Sequence, residues 1–98
     1  MVLVVDDVDT QRHITSLMLE KLGYKAVSVS SGEEAVEFVK SQSVELILLD
    51  MIMSPGISGR ETYNQIRKLN PTQKAIIVSG FAETEDVKTT LLLGASHF

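Results

Sequence analysis

Two short apolar runs that end at acidic residues constrain the fold of this chain most strongly. Residues 2–5 and 46–49 are uninterrupted apolar stretches; Asp6 and Asp7 follow the first, and Asp50 follows the second. Continuous rather than alternating apolar runs are typical of strands covered on both faces of a parallel sheet. Turn-forming residues come soon after Asp50, so we predict that the strand before it ends there.

Predicted strands and helices alternate along the chain. We predict strands at residues 2–5, 25–30, 45–49, 74–80 and 95–98. Four helices are expected between them, each recognised by an apolar face or by capping residues. The first has an apolar face of Ile14, Leu17, Met18 and Leu22 and ends at Gly23, and the second is capped by Ser31 and Glu34, with Ala35, Val36 and Val39 facing inward. The third spans residues 60–69, with Tyr63, Ile66 and Leu69 on its apolar face, and the fourth spans residues 85–93. This order predicts an α/β fold with a parallel sheet between layers of helices.

Composition favours one small globular domain over residues 1–98. The chain has 44% hydrophobic and 22% charged residues, which is ordinary for a folded domain. A net charge of −4 argues against direct nucleic-acid binding. The chain has no cysteine and no apolar run of membrane-spanning length, so we expect a cytoplasmic domain that does not insert into a membrane.

The acids and the end of the fourth strand predict a site for phosphoryl chemistry. Ligands of open parallel sheets bind at the carboxyl ends of the strands, so Asp6, Asp7 and Asp50 would converge if strands one and three are neighbours. Like charges repel at short range, and a hard cation such as Mg²⁺ relieves that repulsion. Ser79 offers a hydroxyl and Gly80 an accessible backbone N–H. These groups predict phosphoryl transfer with a carboxylate as the nucleophile.

Ordinary structural roles are the alternative for several of these side chains. Asp7 or Asp9 could serve only as the N-cap of the first helix. His13 and His97 have no partner at metal-ligand spacing and are expected at the surface or in packing. The acids of the second helix are expected on a solvated face: Glu33, Glu34 and Glu37.

The motifs resemble the receiver domain of bacterial two-component response regulators. The segments that carry the resemblance are "VLVVDD", "LILLDMIM" with "PGISG", "AIIVSG" and "LGASHF", spread along essentially the whole chain. The sequence of these segments is most similar to that of receivers attached to hybrid sensor histidine kinases. The resemblance implies a flavodoxin-like, doubly wound sheet of five parallel strands in the order 2-1-3-4-5.

The resemblance also implies a role for each residue of the acidic cluster. Asp50 would accept a phosphoryl group from a histidine kinase or a histidine phosphotransfer protein. Asp7 would be a direct Mg²⁺ ligand and Asp6 a largely water-mediated one. The backbone carbonyl of Ile52 would be a further ligand.

A conformational switch is implied by the same resemblance. Ser79 would be the switch hydroxyl and Phe98 the switch aromatic, and their movement would remodel a surface for an output domain or partner protein. Such a domain catalyses its own phosphorylation and dephosphorylation without being a turnover enzyme.

Two departures from the family pattern affect these expectations. Ser54 lengthens the loop after Asp50 by one residue, which puts the outer part of that loop in doubt. The phosphate-binding lysine of the family is expected about three residues beyond Phe98, and the last helix would follow it. We therefore expect the sequence to be a C-terminally incomplete receiver domain.

Two other functions are compatible with parts of the sequence. A haloacid-dehalogenase-like phosphatase also places aspartates after a parallel strand, and the Asp7–Val8–Asp9 segment matches its paired acids. A pseudo-receiver would use the same fold for protein contacts without accepting phosphate. A flavin mononucleotide site is not supported, because the loops carry acids where the phosphate would bind.

Overall fold

A computed structural model describes residues 1–50, 57–78 and 96–97. The described elements are β1 (Val2–Val5), α1 (Asp9–Lys21), β2 (Ala26–Val29), α2 (Gly32–Ser41), β3 (Leu46–Asp50), α3 (Gly59–Leu69), β4 (Ala75–Val78) and β5 (Ser96–His97). The helix predicted at residues 85–93 lies outside the described residues. Within these ranges no helix is long and apolar enough to cross a membrane.

The strands form one parallel sheet in the order β2-β1-β3-β4-β5, which confirms the predicted topology. β1 lies between β2 and β3, and Val5 is in register with both Val29 and Leu49. β3 continues one residue further than predicted, because Asp50 pairs in register with Val78 of β4. Asp50, the acid that follows the apolar run, is therefore itself paired within the sheet.

One face of the sheet is covered by α2 and α3, and the buried core lies between them. Tyr63 and Ile66 of α3 are fully buried, as is Ala35 of α2. The sheet contributes six buried residues to the same cluster: Leu3, Val5, Ile47, Leu49, Ala75 and Ile77. Leu69, predicted on the inner face of α3, is instead 48% exposed at the end of the helix.

The predicted apolar face of α1 is exposed in the structure. Ile14, Leu17, Met18 and Leu22 are between 45% and 73% exposed. Together with half-buried residues of β3 and β4, part of this face borders a groove of about 440 Å³. The amphipathic pattern therefore predicted the helix but not its packing, because α1 contacts mainly β1 and β2 at one side of the sheet.

Capping residues explain where the helices begin and end. The Ser31 hydroxyl accepts the N–H of Glu34 at 3.2 Å, and the Ser58 hydroxyl accepts that of Glu61 at 3.1 Å. α3 therefore starts at Gly59, one residue before the predicted start. α1 ends at Lys21, and Gly23 adopts the positive φ of 95° that favours glycine after a helix.

The start of α1 differs from the capping alternative considered above. The N-cap residue is Val8, which makes no side-chain cap hydrogen bond, so the N-cap position belongs to neither Asp7 nor Asp9. Asp9 is the first helical residue, where its charge favourably meets the positive end of the helix dipole.

Replacing Gly32 with alanine should destabilise the fold. A Cβ at this position would collide with Thr62 Oγ1 and lie 2.7 Å from Ile57 Cγ1. We expect a loss of about 1–3 kcal/mol, although alanine favours a helix by about 1 kcal/mol over glycine. Thermal melts of Gly32→Ala and of Glu37→Ala, an exposed change on the same helix, provide the measurement and its control. A Gly32→Ala melting temperature equal to or above that of the wild type would contradict this packing.

Candidate functional site

Three carboxylates meet at the carboxyl edge of the sheet. Val5 and Leu49 are register partners, so the residues that follow them, Asp6 and Asp50, are brought level on adjacent strands. Asp7 joins them, and one carboxylate oxygen from each of the three residues lies within 4.8 Å of the others. The predicted convergence of these acids is thus observed.

The chain after β1 is held by hydrogen bonds around Asp6. Its Oδ1 accepts the N–H of Val8 at 2.9 Å, which turns the chain towards α1. Its backbone carbonyl accepts a hydrogen bond from Nη1 of Arg12 at 2.8 Å. Arg12 also pairs with the Asp9 carboxylate, so one guanidinium bridges the strand end and the first turn of the helix.

Arg12 was not singled out from the sequence. The only local signal is its position three residues after Asp9, a spacing that allows an ion pair on a helix. Its bond to the Asp6 carbonyl spans six residues and depends on how the helix leaves the sheet. Asp9 therefore belongs to the Arg12 pair, whereas Asp6, Asp7 and Asp50 form the cluster at the sheet edge.

The acidic cluster fits a hard divalent cation. Mg²⁺ takes oxygen ligands at about 2.1 Å, so two ligands of one octahedral ion lie about 3.0 Å apart when adjacent and about 4.2 Å apart when opposite. The three carboxylate oxygens lie within 4.8 Å of one another, so one ion could be held by direct carboxylate ligands and, where a carboxylate is too far away, through a water molecule. Asp6 and Asp50 are half-buried, which leaves the edge open to water.

Four predicted site residues lie outside the described residues: Ile52, Ser79, Gly80 and Phe98. The backbone register still relates two of them to the cluster. Val78, the residue before Ser79, is the partner of Asp50, and His97, the residue before Phe98, is the partner of Ile77. β4 and β5, the strands that precede these two residues in the sequence, both lie on the same side of β3.

Comparisons with known proteins identify the family. The family model for the response regulator receiver domain matches residues 2–98. The chain is 36% identical over 97 residues to a cyclic di-GMP phosphodiesterase of Thermotoga maritima, covering 99% of this chain and 26% of that protein. It is 34% identical over 95 residues to the CAI-1 autoinducer sensor kinase/phosphatase CqsS of Vibrio cholerae, covering 97% and 14%.

A solved structure agrees with the sequence comparisons. The fold matches that of the response regulator TrrA of Thermotoga maritima, solved in complex with Mg²⁺ and BeF, with a TM-score of 0.87 and 30% identity. That match covers 98% of this chain and 83% of TrrA. The chain belongs to the response regulator receiver domain family, and its function is that of a receiver in two-component signalling.

The family assignment confirms the resemblance seen in the motifs and does not favour the phosphatase or pseudo-receiver alternatives. Receiver domains are phosphorylated by histidine kinases or phosphotransfer proteins, and they bind Mg²⁺ at an acidic pocket. The chain spans about a quarter or less of the length of each of these two curated relatives, the phosphodiesterase and CqsS.

Magnesium should stabilise the wild-type protein, and Asp7→Asn should weaken this response. An ion that binds only the folded state adds about 2.7 kcal/mol at 100 times its Kd. Without metal, Asp7→Asn removes one of three mutually repelling charges, so its melting temperature should rise above that of the wild type. Adding Mg²⁺ should then raise it much less than it raises the wild type. Thermal melts in EDTA and in millimolar Mg²⁺ measure both effects.

Asp9→Asn is the matched control for Asp7→Asn. It removes the exposed pair with Arg12, which contributes little to stability, and leaves the cluster intact. Its Mg²⁺ response should equal that of the wild type. A wild-type melt that ignores Mg²⁺, or a response lost in Asp9→Asn and kept in Asp7→Asn, would show that the ion binds elsewhere.

Proposed function

We propose that this domain accepts a phosphoryl group on Asp50 in a Mg²⁺-dependent reaction. The observation that carries the proposal is the cluster of three carboxylates at the carboxyl edge of β1 and β3. Asp50 is the member of the cluster on β3, next to the strand that leads to Ser79. In this proposal a phosphoryl group on Asp50 has the Ser79 hydroxyl on one side and the metal ligands on the other.

The proposed donor is a phosphohistidine of a histidine kinase or a histidine phosphotransfer protein. A carboxylate oxygen of Asp50 attacks phosphorus, and an O–P bond forms as the P–N bond breaks. The electron pair of that bond stays on the imidazole nitrogen, and the product on this chain is an acyl phosphate. When bound, Mg²⁺ supplies positive charge that offsets the negative charge of the phosphoryl oxygens and of the carboxylates.

Asp7 is proposed as a direct ligand of the ion and Asp6 as a largely water-mediated one. The engagement of Asp6 Oδ1 by the Val8 N–H supports the second assignment, because that oxygen already accepts a hydrogen bond. The backbone carbonyl of Ile52 is proposed as a further ligand. This set leaves ligand positions for water and for a phosphoryl oxygen.

The switch is proposed to use residues that follow β4 and β5. Ser79 would donate its hydroxyl to the phosphoryl group, and the N–H of Gly80 would approach the same oxygens. Phe98 would move inward with Ser79 and change the surface that a partner contacts. The register of Val78 with Asp50 supports the first of these roles, because Ser79 directly follows Val78 in the sequence.

Residues 1–98 are proposed to be the receiver part of a larger signalling protein. The match to about a quarter or less of longer relatives supports this, and the sensor kinase CqsS supports a hybrid kinase as the parent. An output domain or partner protein would then read the switch. The cysteine-free, acidic composition suits the cytoplasm, where we propose that the domain works.

Phosphorylation should occur at Asp50 and at no other residue. Intact-mass spectrometry of the full-length protein, incubated with an acyl-phosphate donor and Mg²⁺, should show the addition of one phosphoryl group. Asp50→Asn should abolish the addition, because the amide is not a nucleophile, and EDTA should reduce it strongly. Asp9→Asn, outside the cluster, should be phosphorylated like the wild type.

The two alternative functions predict different results. A pseudo-receiver would gain no phosphate in any variant. A phosphatase would release inorganic phosphate continuously from a simple phosphomonoester, whereas a receiver would be modified once. An Asp50→Asn protein that still gains one phosphoryl group would contradict the assignment of the phosphoacceptor.

A further inference from the structure

The turn that carries Asp6 and Asp7 is held at three successive peptide units. The Asp6 N–H donates to the Val29 carbonyl of β2 at 3.3 Å, which holds the peptide unit before Asp6. The Val8 N–H donates to Oδ1 of Asp6 at 2.9 Å, which holds the unit between Asp7 and Val8. The unit between these two joins Asp6 to Asp7, and its carbonyl accepts a hydrogen bond from Nη1 of Arg12 at 2.8 Å. Each hydrogen bond therefore holds a different peptide unit.

The Asp6 carbonyl lies beyond the last pair of the β1–β2 ladder. That pair joins Val5 to Val29, and β2 ends at Val29. The carbonyl is part-buried, and a backbone carbonyl withdrawn from water needs a hydrogen-bond donor. Arg12 supplies this donor from α1, where the sheet has already ended.

Arg12 is well placed to hold the carbonyl. Its backbone N–H donates to the Val8 carbonyl at 3.0 Å, so its residue belongs to the first turn of α1. Its side chain is 17% exposed, and Nη2 pairs with the Asp9 carboxylate. Because the guanidinium is planar, the contact with Asp9 on one side helps to aim the other side at the Asp6 carbonyl. Asp9→Asn keeps an oxygen that accepts from Arg12, so it remains a control for the ion site.

We propose that Arg12 is a positioning residue for the acidic cluster. A peptide unit is planar, so its rotation changes ψ of Asp6 and φ of Asp7 together. Such a rotation moves the Asp7 carboxylate relative to those of Asp6 and Asp50. By donating to the carbonyl of this unit, Arg12 favours the orientation in which the three carboxylates meet.

The inference rests on the proposed function, because it takes Mg²⁺ to bind at these carboxylates. Arg12 is itself a cation and is not a ligand of the ion. It acts on the ion site only through the backbone carbonyl of Asp6.

The charge of Arg12 and its hydrogen bond have opposite effects on Mg²⁺ binding. A positive charge near the carboxylates repels a second cation, so removing the charge alone would lower the Kd for Mg²⁺. Losing the hydrogen bond releases the peptide unit between Asp6 and Asp7, which raises the Kd. The Asp9 carboxylate already offsets the charge of Arg12, so the second effect should exceed the first. The direction of the change in Kd therefore distinguishes the two effects.

Three variants of Arg12 give this comparison. Arg12→Met removes the donors and the charge but keeps an apolar stem that favours a helix. Loss of one hydrogen bond corresponds to about a three- to tenfold change in an equilibrium constant, so we expect its Kd for Mg²⁺ to rise by about that factor. Arg12→Lys keeps the charge and a single donor group, and its Kd should lie between those of Arg12→Met and the wild type. Arg12→Gln, neutral and shorter, should raise the Kd like Arg12→Met and replaces it if that variant does not fold.

Leu19→Ala separates positioning from a general weakening of α1. Leu19 is half-buried beside the groove between α1 and the sheet, so its truncation removes apolar contacts and should lower the melting temperature. It leaves the bond from Arg12 to Asp6 in place, and its Kd for Mg²⁺ should match that of the wild type. If Leu19→Ala raises the Kd as much as Arg12→Met does, the effect is one of helix stability and the inference is wrong.

The metal-free protein provides a second readout. In EDTA, the ¹⁵N order parameter of the Asp7 amide should be about 0.85 in the wild type and fall towards about 0.6 in Arg12→Met, because this amide belongs to the released peptide unit. Leu19→Ala should leave it unchanged. An Asp7 amide that is as rigid in Arg12→Met as in the wild type would overturn the inference.

The decisive experiment is a calorimetric titration of the full-length protein and its variants with Mg²⁺. Intact-mass measurement with an acyl-phosphate donor tests the proposed function separately. If the wild type binds Mg²⁺ and is phosphorylated, an Arg12→Met Kd equal to or below that of the wild type would overturn the role of Arg12 and leave the proposed function standing. A raised Kd in Arg12→Met, with a wild type that gains no phosphate, would overturn the proposed function alone. A wild type that neither binds Mg²⁺ nor gains phosphate would overturn both.

Discussion

The parallel pairing of β1 with β3 is the constraint on which the site depends. With Val5 level with Leu49, the chain cannot continue past either strand without bringing Asp6 and Asp50 together. Carboxylates whose oxygens lie within 4.8 Å repel one another, and folding stability elsewhere must offset that repulsion. A divalent cation would offset this repulsion, so the same feature that costs stability in the free domain would favour the proposed binding of Mg²⁺.

The core supplies the rigidity that keeps the acids in place. Leu3, Val5, Ile47 and Leu49 are essentially inaccessible to solvent, and their packing against α2 and α3 sets the register of β1 and β3. A shift of the register by one residue would turn these side chains out of the core, so the penalty for misplacing the acids is the loss of buried apolar area. The opposite face is less constrained, since Leu46, Leu48 and Ile76 remain half-buried beside α1.

The strands and the convergence of the acids were predictable from the sequence, because the patterns that indicate them are local. The run of residues 2–5 matches β1, and the acids that end two runs meet where parallel strands bring them. The hydrogen bond from the Ile57 N–H to the Glu33 carboxylate had no such signal, because a glutamate on a helix face resembles any solvated acid until its distant partner is in place. The exposure of Met18 and Leu22 could not be predicted either, because an amphipathic pattern does not specify how far a helix reaches across a sheet.

The most direct test of the account is to locate the bound ion by nuclear magnetic resonance, with Mn²⁺ as a paramagnetic substitute for Mg²⁺. If the acidic cluster is the metal site, substoichiometric Mn²⁺ should broaden the backbone amide signals of Asp6, Asp7 and Asp50 first, and excess Mg²⁺ should restore them. Signals at the opposite edge of the sheet, such as those of Val2, Leu46 and Ala75, should stay sharp. Broadening centred on the helical acids or on Glu45, with the three aspartates unaffected, would contradict the claim that this sheet edge is the metal and phosphoacceptor site.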